Sequence, residues 1–120
     1  MLANYAEVRD GLLYVLGAGW TNYTVSALPA DIVGQVILIL DVDDASNGVN
    51  AVLTVDVVDP KGSTVLHDQV PVEFTSTDAV IRIPVVYGLQ AHVSDAGVHE
   101  VSASLGGTEI VRLPFEVRLP

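Results

Sequence analysis

Val111-Arg112-Leu113-Pro114-Phe115-Glu116-Val117-Arg118-Leu119 alternates apolar and polar side chains along one short run. A strand repeats every two residues, so Val111, Leu113, Phe115, Val117 and Leu119 share one face while Arg112, Glu116 and Arg118 share the other. A helix would scatter them around its circumference. The segment predicts a half-buried strand. Pro114 lies on its outward face and cannot donate to a ladder, which predicts an open edge or a bulge at that point.

The same period recurs upstream. Ala51, Leu53, Val55 and Val57 oppose Thr54 and Asp56, and Ile81, Ile83, Val85 and Tyr87 oppose Arg82. Turn residues separate the runs. Asp59-Pro60-Lys61-Gly62 predicts a reversal, Leu105-Gly106-Gly107-Thr108 a hairpin, and Arg9-Asp10-Gly11 a third hairpin between Tyr5–Val8 and Leu12–Leu16. Val36-Ile37-Leu38-Ile39-Leu40 is apolar on both faces, which requires a strand inside a sheet whose outer side is also covered. With strands at Thr21–Val25, Val33–Val42, Pro71–Phe74 and Val98–Leu105, eight or nine are expected and no helical stripe. The fold class is all-β: an antiparallel β-sandwich of about eight strands, immunoglobulin-like or jelly-roll in connectivity, in one domain spanning 1–120.

Length and composition agree with that reading. A chain of 120 residues and 12.7 kDa with 50% apolar positions supports one core, with a folded surface near ~6,000 Å². Cysteine is absent, which excludes disulfides and thiolate chemistry. A formal charge of -10 repels phosphate backbones and anionic lipid, so neither nucleic-acid binding nor membrane insertion is expected. Glu7, Arg9 and Asp10 stand where a signal peptide needs an apolar stretch, and a soluble, cytoplasmic protein is the expectation.

Residues 2–21, LANYAEVRDGLLYVLGAGWT, resemble the start of an uncharacterised family of small bacterial proteins, many of them actinobacterial. These begin with an Ala-Asn/Asp-Tyr-Ala-Glu-Val hairpin. Residues 112–117, RLPFEV, are similar to that family's C-terminal strand. The resemblance implies a bacterial β-sandwich with no assigned activity and no catalytic residue.

Several constellations bear on function. Asp41, Asp43 and Asp44, followed by Ser46 and Asn47, gather oxygen ligands of the kind Ca²⁺ takes, though the spacing lacks the EF-hand pattern and suits an ordinary polar loop. His67, His92 and His99 have no zinc spacing. His92, Ser94 and Asp95 are close in sequence without a nucleophile elbow, and His99 shares the inward face of Val101 and Ala103, the place of a neutral core histidine. Gly17-Ala18-Gly19-Trp20 has no helix after it to make a phosphate loop and reads as a strand corner. Tyr5, Tyr14, Trp20 and Tyr23 suit either a carbohydrate or peptide platform or plugs for the sandwich ends.

The most informative surplus is apolar residues on outward positions: Val52, Val58, Val80, Val86, Val98 and Ile110. Joined across strands they would form an association face; covered by the opposite sheet or the N-terminal hairpin they would not. The expected function is a non-enzymatic protein-interaction or structural module, binding a protein partner or itself through that valine-rich face and needing no cofactor. The alternatives are a calcium- or carbohydrate-binding module and a virion or particle surface subunit.

Overall fold

A computed structural model describes residues 1–42 and 45–120, with backbone alone for 45–47. Its strands are β1 (Leu2–Arg9), β2 (Leu12–Ala18), β3 (Asn22–Thr24), β4 (Ala30–Val42), β5 (Ala45–Val58), β6 (Thr64–Ser76), β7 (Ile81–Val93), β8 (Gly97–Leu105) and β9 (Thr108–Arg118). They form a β-sandwich of two sheets, with strand orders β2-β1-β4-β7 and β3-β9-β8-β5-β6. The chain crosses repeatedly between layers. Among the described residues the pairings are antiparallel except that of the short β3, which runs parallel to the end of β9.

The run that opened the sequence reading behaves as its period dictates. Phe115 and Val117 are fully buried and Val111 and Leu113 half-buried, while Arg112 and Arg118 face solvent. The β9 strand lies inside its sheet, yet Pro114 meets an open edge. The Glu116 amide donates to Thr21 O at 2.8 Å, so the nitrogen two residues earlier points the same way, beyond the end of β3. The bulge in β9 lies elsewhere, at Ile110, the extra residue between Glu109 and Val111, which pair with Ser104 and Ala103 of β8.

Between the sheets, Ile32, Val36, Leu89 and Val93 from one layer meet Leu53, Val55, Val57, Val101 and Phe115 from the other. The reversals sit where the turn chemistry puts them. Asp10 and Gly11 have φ of 52° and 74°, the paired left-handed geometry of a tight two-residue hairpin. The Asp59 carboxylate accepts the amides of Lys61 and Ser63 at 2.9 and 2.8 Å, pinning the β5–β6 turn.

The outer cover required by Val36–Leu40 is the β1–β2 hairpin. Val36 and Leu38 point into the sandwich, whereas Ile37 points out and is only 4% exposed. Ala3, Ala6, Leu13 and Val15 pack over it, with Val86 of β7 alongside. The hairpin is thus a partial third layer. This gives an elongated body of 49 × 28 × 16 Å with a radius of gyration of 15.5 Å, against ~13.6 Å for a compact chain of this length. Its surface of 6998 Å² exceeds the ~6,000 Å² expected from mass.

Candidate interaction surface

The six outward apolar residues do not come together. Val52, Val58, Val98 and Ile110 lie on the outer side of the β3-β9-β8-β5-β6 sheet, set among charged neighbours. Val58 and Val98 stand opposite Glu100 and Glu116, and Val52 opposite Pro71. Arg112 pairs with Glu100 and Glu109, Arg118 with Glu116, and His67 with Asp56. The Arg118 guanidinium holds the Glu116 carboxyl below the usual carboxylate range. Val86 belongs to the other sheet, half-buried beside the hairpin, and Val80 protrudes from the β6–β7 turn. Alternation fixes which residues of a strand face outward, but it does not say which strands are neighbours.

The polar constellations separate too. Asp41 forms a two-point pair with Arg82, Nε to Oδ1 at 2.7 Å and Nη2 to Oδ2 at 3.2 Å, which lowers its pKa. Asp43 and Asp44 lie outside the described residues, and among the described residues no three His, Asp or Glu side chains gather as metal ligands. His92 Nδ1 lies 2.9 Å from Asp31 Oδ1 across the β4–β7 ladder, while Asp95 pairs with Lys61 at 3.4 Å. His99 is fully buried, its Nδ1 bonded to Gly97 O at 3.1 Å and its ring stacked on Phe115, while Nε2 has no partner among the described residues.

The four aromatics divide into two pairs. Trp20 meets Tyr23 and Phe115 edge-on at 5.7 and 5.9 Å and closes one side of the core. It rests on Gly34, where a Cβ would come within 2.9 Å of the indole, so the glycine makes room for the plug. Tyr5 and Tyr14 instead face solvent on the hairpin.

That hairpin face is the feature sequence reasoning passed over. The Gly19 amide donates to Leu2 O, and the β1–β2 register pairs Tyr5 with Leu16, Glu7 with Tyr14 and Arg9 with Leu12. Side chains directly opposite share a face, so these six project together, away from Ile37. Tyr5, Leu12, Tyr14 and Leu16 are 48%, 61%, 48% and 67% exposed. Polar contacts fix them in place: Tyr5 OH donates to Glu7 Oε2 at 2.9 Å, Arg9 reaches Glu7 Oε1 at 2.6 Å, and the Arg9 guanidinium lies 5.7 Å from the Tyr14 ring centroid. The bond to Glu7 raises the Tyr5 pKa. The legible signal was Leu12-Leu13-Tyr14-Val15-Leu16, apolar on both faces like Val36–Leu40.

An apolar groove of about 300 Å³ lies between Met1, the Ile37–Leu40 stretch and Ile110–Val111. Its lining side chains are apolar, and the Met1 ammonium beside it donates to Ile37 O at 2.8 Å and has its pKa lowered by burial.

The chain belongs to the DUF6941 family, a family of unknown function, which it matches over residues 1–118. No curated protein and no solved structure matches it.

Proposed function

We propose that this chain is a non-enzymatic protein-interaction module whose contact surface is the outward face of the N-terminal hairpin. The observation that carries the reading is the cluster of Tyr5, Leu12, Tyr14 and Leu16, large apolar side chains exposed side by side around a neutralised Glu7–Arg9 pair. Scattered exposed valines need no explanation, whereas a contiguous apolar patch with an aromatic pair and a polar tie resembles the centre of a protein interface.

Site-specific photocrosslinking in the native cell tests this. A photoreactive phenylalanine analogue placed at Tyr14 is expected to give discrete protein adducts, and the same probe at Val98, on the opposite sheet, none. Adducts from Val98 alone, or from neither position, would overturn the assignment.

A further inference from the structure

We infer that the free edge of β2 pairs with the β2 edge of a second copy of this chain, antiparallel about a two-fold axis, joining the two N-terminal hairpins into one four-stranded layer. This rests on the hairpin reading above and names its partner.

The strands at the ends of the sheets are β2, β7, β3 and β6. Three of them carry the devices that deter edge pairing. The β7 strand has Arg82, Pro84 and His92, β6 has His67, Asp68, Pro71 and Glu73, and β3 is only three residues long. Leu12–Ala18 has no charge and no proline.

Its backbone is aimed outward at known positions. The two-residue turn bonds Leu12 N–H to Arg9 O, so along the hairpin Tyr5, Glu7 and Arg9 exchange bonds with Leu16, Tyr14 and Leu12. The N–H and C=O groups of Leu13 and Val15 therefore point to the open edge, and only another strand matches such a pattern.

A second copy fits for two reasons. An antiparallel pairing of identical strands is two-fold symmetric in itself, so it closes at two copies. Centred on Tyr14, it sets Tyr14 against its own counterpart and Leu12 against Leu16, so each outward amide finds a carbonyl and the exposed apolar side chains line up across the junction. Charge points to the same place. Leu12–Ala18 itself carries no charged residue, so two acidic molecules meet along this strand without like charges directly opposed.

Sedimentation equilibrium on the full chain, from about 10 µM to about 1 mM, tests the pairing. The mass is expected to climb from 12.7 kDa toward twice that value. Leu16→Lys, at an exposed position, is expected to weaken association about tenfold or more by placing a charge in the junction. Val15→Pro removes an outward donor and is expected to act likewise. Leu12→Lys stands in if either variant loses its β circular-dichroism signal. Val98→Lys is expected to leave the mass curve unchanged. A wild-type chain that stays monomeric throughout, or a Val98→Lys variant that dissociates as Leu16→Lys does, overturns the inference. A monomer that still gives Tyr14 adducts to another protein removes the second copy alone, whereas loss of both signals removes the hairpin surface as well.

Discussion

Ile37 and Ile39 are successive outward residues of β4, identical in chemistry and opposite in environment. Replacing each by Ala asks whether the N-terminal hairpin lies over the sheet. Ile37 is 4% exposed beneath Ala3 and Ala6, whose short side chains cannot lean into a void, while Leu13, Val15 and Val86 at the rim have room to relax. Core Ile→Ala changes cost about 2–5 kcal/mol, and partial collapse from the rim puts this one near the lower end, about 2–3 kcal/mol. Ile39 is 58% exposed, retains most of its hydration in the fold and leaves no enclosed cavity, so its truncation is expected to cost about 0.5–1 kcal/mol. With a urea m-value near ~1.5 kcal/mol/M for a domain of this size, the midpoints move down by roughly 1.5 M for Ile37→Ala and by less than about 0.7 M for Ile39→Ala. Equal shifts, or a larger one at Ile39, would refute the third-layer packing, and with it the argument that the hairpin turns Tyr5, Tyr14 and Leu16 outward.

Two further perturbations follow from local geometry. Gly17 holds φ at 62°, and a Cβ there would lie 2.5 Å from the Asn4 side-chain nitrogen; Gly11 holds φ at 74° with nothing within 4 Å. Gly11→Ala is expected to cost about 1 kcal/mol from backbone strain alone and Gly17→Ala about 2 kcal/mol, compared by urea midpoints, with the reverse order contradicting the packing of Asn4 against the β2 kink. Tyr87 OH donates to Asp68 Oδ2 at 2.8 Å, and burial, then that carboxylate, push its pKa from 10.0 up to about 12. Because the folded value is raised, the stabilisation is full below pH 10 and is lost as pH rises from 10 to about 12. The shift sets an upper bound of about 2.7 kcal/mol, which hydration at the sandwich rim reduces to about 1 kcal/mol. Thermal unfolding of wild type against Tyr87→Phe between those pH values should show that extra alkaline loss only in wild type.

Strand positions and facing were legible because they follow from a two-residue period and from turn chemistry, both local. Phe115 and Val117 inward, Arg112 and Arg118 outward, and the left-handed Asp10-Gly11 pair all came from neighbours in sequence. The need for a cover over Ile37 was legible too. Strand adjacency was not, since it depends on pairings between distant segments such as β4 with β7 and β5 with β8. That is why Val52, Val86 and Val98 read as one face and fold onto two sheets. The split of the aromatics had the same origin: Trp20 finds Gly34 and Phe115, more than ten residues away, while Tyr5 and Tyr14 have only each other's hairpin.

A two-layer sandwich buries one face of each sheet and can leave the other polar, as the outer side of β9-β8-β5-β6 does with its arginine–carboxylate pairs. A third layer changes that arithmetic. The β1–β2 hairpin must be apolar beneath to cover Ile37, and a polar upper face would suffice to end the stack. Instead the upper face carries two tyrosines and two leucines, held by Glu7 and Arg9, on the only terminal strand among the described residues with neither charge nor proline over more than three residues. Solubility and folding do not call for that arrangement on a strand, Leu12–Ala18, that carries no charge of its own. An unprotected edge next to an apolar face is a liability in a monomer. It is a consistent design for a strand that is meant to be paired.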